Sequence, residues 1–256
     1  MTDSRPLRIG FLLAGLATLV VALAFFDEAP WAVDLWPWED SPLSYTFIAS
    51  ILAAIALPIV WIAVTGELAA VLAGAVDLAI TYGLVTVYLL TLEGDAGQPD
   101  LWPHIAVFGF GFLAMLGTIA WSRRIPWRSE RPMPAPLRAS FGVFAAVLTA
   151  AGLALMFGAD IFPWEVRAES SFVFGAIYLG AAAYFAVGFM RPRFGNAAGQ
   201  LIGFLAYDLV LLGPFIDRFS VAEDGELLSL VVYTAFLLYS AALAVHYLWI
   251  ERLWAD

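Results

Sequence analysis

The chain has 256 residues, of which 62% are hydrophobic and 13% are charged, with a formal net charge of −10. A soluble domain carries roughly 25% charged residues, so this chain has too little polar surface to cover itself in water, and we expect lipid to surround it. The acidic balance excludes nucleic acid as a partner, because nucleic-acid binding needs clustered basic residues.

The composition also limits the chemistry that the chain can perform. It has no cysteine, which excludes disulfides and thiolate chemistry, and its twelve basic residues are all arginine. Without lysine there is no retinal-type Schiff base and no P-loop lysine. The two histidines, His104 and His246, fall at opposite ends of their segments, and no catalytic motif is present. We therefore expect no metal and no cofactor, and an enzyme is disfavoured.

Eight apolar segments follow one another along the chain, each long enough to cross ~30 Å of hydrocarbon. They lie near residues 9–26, 46–65, 68–92, 105–121, 139–158, 171–190, 199–216 and 229–249. The sequence thus predicts an all-α integral membrane protein of about eight transmembrane helices with short connections. Glu67 and Asn196, which precede the third and seventh segments, are predicted to be helix caps.

The arginines are distributed unevenly between the two sides of the predicted bundle. If the N-terminus is cytoplasmic, only Arg167 and Arg218 lie outside. The other ten lie inside: Arg5, Arg8, Arg123, Arg124, Arg128, Arg131, Arg138, Arg191, Arg193 and Arg252. By the positive-inside rule both termini are predicted to be cytoplasmic, in a multi-pass protein of the plasma membrane.

Tryptophans cluster at both predicted boundaries of the membrane, where indole rings prefer to lie. Those at the outer boundary are Trp31, Trp36, Trp38, Trp102 and Trp164, and those at the inner boundary are Trp121, Trp127, Trp249 and Trp254. The sequence therefore predicts two aromatic belts.

The two halves of the chain resemble each other. The segment 34–39 (DLWPWE) is matched 126 residues later by 160–165 (DIFPWE). Further matches are Pro-Leu-Arg at 6–8 and 136–138, Ser44 with Ser170, and Ala-Val-Asp-Leu at 75–78 with Ala-Tyr-Asp-Leu at 206–209. We predict two tandem parallel four-helix repeats, residues 1–128 and 129–256, related by a pseudo-two-fold axis along the membrane normal. The stretch Ser122–Pro136 is predicted to be an exposed linker. Residues 5–26 could be taken for a cleaved signal peptide, but they have an internal counterpart that cannot be one, so we predict a membrane span there.

The repeated segment carries four acids: Asp34, Glu39, Asp160 and Glu165. They fit a rigid outer turn with solvated carboxylates or a surface that attracts cations or a partner. The stretch 35–43 (LWPWEDSPL) resembles a Trp-Pro-Trp…Ser/Thr-Pro-Leu signature of uncharacterised prokaryotic polytopic membrane proteins. This resemblance covers about nine residues and implies the class alone, with no activity.

Two acids, Asp77 and Asp208, fall within predicted spans, roughly ten residues or ~15 Å from the nearer end. An aspartate at a helix centre costs about 2.5–3.5 kcal/mol on insertion scales, so we expect both to face the bundle interior. Thr81 lies on the face of Asp77, and Tyr207 and Gln200 are candidate partners of Asp208. No arginine lies at that depth, so at least one of the two carboxyl groups is expected to be protonated at neutral pH.

Three functions remain open at this point. Asp77 and Asp208 would be the proton or cation sites of a small secondary transporter, or they would make structural hydrogen bonds between helices. The alternative is a non-catalytic scaffold, subunit or sensor of a larger assembly. The third is an intramembrane enzyme on a lipid-linked substrate that uses the four outer acids.

Overall fold

Eight long helices form the protein in a computed structural model, which describes residues 5–250. They are α1 (Arg5–Phe26), α2 (Pro42–Thr65), α3 (Val71–Leu92), α4 (Trp102–Ser122), α5 (Ala135–Met156), α6 (Ala168–Met190), α7 (Phe194–Arg218) and α8 (Asp224–Val245). No strand occurs in the described range, and all eight helices are long and apolar enough to cross a membrane. The predicted all-α architecture with eight such helices is confirmed. Arg252 and Trp254 lie outside the described residues.

The ends of the helices follow from local sequence. Ser41 caps α2 by accepting the N–H of Ser44, and Gly66 ends the helix in a left-handed conformation (φ 75°) that glycine adopts without strain. A short turn, Leu68–Ala70, then leads into α3. The predicted caps are wrong in detail, because the Glu67 side chain does not cap this turn and Asn196 lies within the first turn of α7.

The connections gather at two opposite ends of the bundle. The linker face carries residues 66–67, 123–134 and 191–193, and the motif face carries residues 27–41, 93–101, 157–167 and 219–223. Hydrogen bonds hold each set together: Glu67 accepts N–H groups of the linker, and Trp36 donates to Ser170 across the motif face. Of the arginines in residues 5–250, only Arg167 and Arg218 lie on the motif face.

The helices pack as two groups of four. In one group α1 packs on α2, α2 on α7, and α7 on α8; in the other α4 packs on α3, α3 on α6, and α6 on α5. Between the two groups, the backbone of α2 comes close to that of α3 at only a few residues, and the same holds for α6 and α7. Large aromatic side chains bridge the groups instead, with Phe144 of α5 against Phe204 and Phe236, and Phe185 of α6 against Phe204. A space therefore remains between them along the bundle axis.

Small residues allow α2 and α7 to come close together. A Cβ on Gly203 would lie 2.9 Å from the carbonyl oxygen of Ala54 and 3.1 Å from Pro58. One turn nearer the linker face, Gly199 packs against Trp61. Glycines four residues apart remove the side chains that would separate two membrane helices, so α2 and α7 pack closely in this part of the bundle.

The tryptophans of the repeated segment do not form an aromatic belt. Trp38 and Trp164 are only 5% and 6% exposed, and the indole N–H of Trp164 donates to Ser44 at 3.1 Å. That prediction is therefore wrong for these two residues, which fix the motif-face loops to helix ends inside the protein. Exposed indoles remain at Trp31 and Trp102.

The linker is more ordered than the sequence predicts. Its backbone pairs with the turn between α6 and α7, where Met133 donates its N–H to Pro192 and Phe194 donates to Arg131, both at 2.9 Å. Met133 is buried. The linker is thus a packed connection, and only part of its length is exposed.

Candidate functional site in the central cavity

A cavity of about 660 Å³ occupies the space between the two groups of helices. Along α3 its lining begins at Asp77 and continues through Tyr82 to Val85, towards the motif face. Asp160 and Gly225, both at the motif-face ends of their segments, line the same cavity. The cavity therefore extends from the motif face to just beyond the middle of the bundle, and Asp77 is the lining residue of α3 farthest from the motif face, at the floor of the cavity.

Asp77 is held against a close contact between α3 and α6. Thr81, one turn further along α3, donates to Asp77 Oδ1 at 3.4 Å and has the carbonyl oxygen of Ala176 at the same distance. Gly180 of α6 packs directly on Thr81 and Asp77. No arginine in residues 5–250 forms an ion pair with Asp77. Asp77 as a whole residue is partly exposed and lines the cavity, so a solute in the cavity can contact it.

Tyrosines supply most of the remaining polar groups. Tyr82 of α3 and Tyr184 of α6 line the same cavity as Asp77. The hydroxyls of Tyr178, Tyr207 and Tyr233, from α6, α7 and α8, hydrogen-bond to one another. This cluster places three hydroxyl groups in an otherwise apolar wall.

Asp208 occupies a different environment. It is 0% exposed and does not line the cavity; its Oδ1 accepts a hydrogen bond from Ser240 of α8 at 2.8 Å, while Oδ2 has no partner. The predicted partners are wrong, because Tyr207 belongs to the tyrosine cluster and Gln200 donates to the carbonyl of Tyr184. Asp208 therefore sits in a packed helix interface, and the structure does not bring it together with Asp77.

Comparison of the chain with known protein families, with curated proteins and with solved structures gave no match.

The other candidate residues lie away from the floor of the cavity. Asp34, Glu39, Asp160 and Glu165 are exposed on the motif face. His104 Nε2 lies 3.2 Å from the carbonyl oxygen of Leu35. Within residues 5–250 no three histidine, aspartate or glutamate side chains come together as a metal site.

Sequence reasoning missed two features of the site. The series Gly195, Gly199 and Gly203 has the four-residue spacing of close membrane-helix packing, and this signal was readable in the sequence. Gly180 and the tyrosine cluster had no such signal, because their importance depends on which helices become neighbours.

Proposed function

We propose that the linker face is cytoplasmic and that the chain lies in the plasma membrane with both termini inside. The support is the arginine distribution, since nine of the eleven described arginines belong to the linker-face side and cytoplasmic segments carry the excess of arginine. The chain contains no cysteine, so single introduced cysteines report sidedness directly. On intact cells, an impermeant maleimide should label Glu39→Cys, and it should label Arg124→Cys only after permeabilisation. The reverse pattern would overturn the orientation.

We further propose that residues 1–128 and 129–256 are tandem four-helix repeats. The packing supports this, because each packed pair of helices has a counterpart in the other half. The α1–α2 pair corresponds to α5–α6, the α3–α4 pair to α7–α8, and the α2–α7 pair to α6–α3. Two arginines at the matched Pro-Leu-Arg motifs also make matching contacts. Arg8 donates to the carbonyl of Ala63 at 2.7 Å, and Arg138 donates to that of Phe189 at 3.0 Å, in each case near the end of the next long helix.

The Pro-Leu-Arg motifs at the start of α1 and α5 lie 130 residues apart, but from the motif-face loop onward the proposed repeat has one register with an offset of 126 residues. In it the contact of Asp77 with Gly180 corresponds to that of Gly203 with Ala54. Asp77 therefore matches Gly203 rather than Asp208. This register agrees with the different environments of the two acids, and it assigns the carboxylate at the floor of the cavity to the first half alone.

The function that this geometry supports best is that of a small proton- or cation-coupled secondary transporter. The observation that carries the proposal is a single carboxylate, Asp77, at the floor of a cavity between two groups of helices. Substrate sites near the midplane are typical of secondary transporters, which work by rocking one bundle of helices against another. We assign Asp77 to ion exchange and Asp208 to a structural hydrogen bond.

The proposed coupling follows from the charge on Asp77. An ionised carboxylate in an apolar floor is costly, and a proton or a cation neutralises it. Neutralisation lowers the free-energy cost of moving this part of α3 out of contact with the cavity. The rearrangement that exposes Asp77 to the linker face therefore requires a proton or a cation bound to its carboxylate. The aromatic contacts between Phe144, Phe185, Phe204 and Phe236 are the packing that must open.

Replacement of Asp77 tests the proposal. In proteoliposomes with a pH gradient and an internal pH dye, wild-type protein should dissipate the gradient when a transported solute is added from a panel of amines, quaternary cations, Na⁺ and K⁺. Asp77→Asn should reduce this flux to the level of empty liposomes. The matched control is Asp208→Asn, which makes the same change at a buried position outside the cavity and should retain the flux.

Two outcomes would overturn the transporter proposal. In the first, no solute of the panel makes the wild-type protein dissipate the pH gradient. In the second, the Asp77→Asn variant dissipates it at the wild-type rate. No surface of the described residues points to a scaffold or a sensor, since lipid accounts for the exposed apolar faces of α1 and α4. The four outer acids are exposed and supply no buried constellation for an enzyme.

A further inference from the structure

We infer that the ligand of the central cavity is an apolar organic cation with one positive charge, such as an aryl-substituted ammonium or phosphonium ion. This inference rests on the proposed role of the cavity as a substrate site and names the substrate class. Three properties of the lining carry it: its charge, its aromatic content and the shortage of oxygen ligands at its floor.

The charge of the lining excludes anions. The acids Asp77 and Asp160 both line the cavity, and no lining residue is basic. Lysine is absent from the whole chain. An anion in this cavity would meet carboxylates with nothing to offset its charge, whereas a cation is attracted by the same groups.

The aromatic content fits a cation of low hydration. Eleven of the 33 lining residues are Phe, Tyr or Trp, and the faces of aromatic rings attract organic cations. Tyr82 and Tyr184 line the same cavity as Asp77, so the lining combines a carboxylate with aromatic rings. The volume of about 660 Å³ falls within the roughly 300–1,000 Å³ of small-molecule sites.

The floor is poorly suited to a bare metal ion. Hard cations such as Ca²⁺ take 6–8 oxygen ligands, and Mg²⁺ takes an octahedral set. The one side chain that hydrogen-bonds to Asp77 among the described residues is Thr81, whose hydroxyl also lies at hydrogen-bonding distance from Ala176; the other oxygens on that side of the cavity are the hydroxyls of Tyr82 and Tyr184. An organic cation gives up little hydration on entering such a cavity, so one carboxylate is sufficient for it.

Two probes of nearly the same shape separate charge from size. We would titrate methyltriphenylphosphonium and the neutral triphenylphosphine oxide into purified full-length protein by calorimetry, with empty detergent micelles as the blank. Wild-type protein should bind the phosphonium at least about tenfold more tightly than the oxide. Asp77→Asn should remove this preference, and the exposed-acid control Glu39→Gln should keep it.

Equal binding of both probes by the wild type would overturn the inference in favour of a site for neutral lipophiles, and this comparison needs no variant to fold. A preference that survives in a folded Asp77→Asn protein would also overturn it, since the cation would then bind elsewhere. The transporter proposal fails separately: phosphonium binding that depends on Asp77 without any flux contradicts the transport function alone. Asp77-dependent flux of another solute without phosphonium preference contradicts the substrate class alone.

Discussion

Gly180→Ala is expected to lower the thermal stability of the purified protein and to abolish the flux that depends on Asp77. A Cβ on Gly180 would overlap Thr81 Oγ1 and Asp77 Oδ1, and it would lie 2.7 Å from the backbone oxygen of Asp77. The two side-chain oxygens could rotate away, but the backbone oxygen cannot, so α6 must move away from α3. Inserting a methyl group into a close contact of this kind costs about 1–3 kcal/mol.

The loss of flux has a separate cause from the loss of stability. Rotation of Thr81 and Asp77 away from the new methyl group breaks the hydrogen bond between them and moves the carboxylate from its place at the cavity floor. Thermal unfolding in detergent, followed by circular dichroism, measures the first effect. The proteoliposome assay with a pH gradient measures the second.

Gly74→Ala provides the matched control for this prediction. Gly74 lies on α3, one turn from Asp77, and no atom of another helix would lie within 4 Å of its new Cβ. Alanine is also the better helix former, so this variant should melt at or slightly above the wild-type temperature and retain flux. If Gly180→Ala behaved like Gly74→Ala, the close approach of α3 and α6 would not be needed to position Asp77.

The number and approximate limits of the helices could be predicted because the signal is a sum over some twenty residues in each span. Which face of each helix turns towards the protein interior could not be predicted. Phe144 is 1% exposed and Phe110 is 76% exposed, although both are phenylalanines within apolar spans. Lipid and protein interior are equally apolar environments for such a side chain, so hydrophobicity does not distinguish an inward from an outward position.

The acids were predictable for the opposite reason. A carboxyl group in an apolar span is costly, so both Asp77 and Asp208 were visible in the sequence as residues that need an interior position. Their different surroundings were not visible. Ser240, the partner of Asp208, is 32 residues away on α8, and Gly180, which packs on Asp77, is on α6. Such contacts are set by which helices pair, and a single sequence carries little information on that.

Glu67→Ala is expected to destabilise the protein by about 2–4 kcal/mol, the second large effect among these predictions. The Glu67 side chain is buried, with only 4% of the residue exposed. Its two oxygens accept the backbone N–H groups of Arg128, at 3.1 Å, and Ser129, at 3.2 Å. Removing the carboxylate leaves both donors without their acceptor at a part-buried site, and each unsatisfied group costs about 1–3 kcal/mol.

The same change should expose the linker to protease. A segment of backbone must give up its hydrogen bonds to enter the active site of a protease. The bonds to Glu67 hold the Arg128–Ser129 peptide group, which trypsin would cleave, and the Trp127–Arg128 peptide group before it. We therefore expect trypsin to cleave after Arg128 faster in Glu67→Ala than in the wild type, as measured by mass spectrometry of the fragments. Glu67→Gln retains an oxygen acceptor and should lie between the two.

Glu39→Ala controls for the loss of one acid, because Glu39 is exposed on the motif face and should affect neither melting nor cleavage. Cleavage after Arg128 at the wild-type rate in Glu67→Ala would contradict the prediction. The pairing of Met133 with Pro192 and of Phe194 with Arg131 would then suffice to hold the linker. Faster cleavage would instead make Glu67 the residue that ties the connection between the halves to the linker-face end of α3, the helix that carries Asp77.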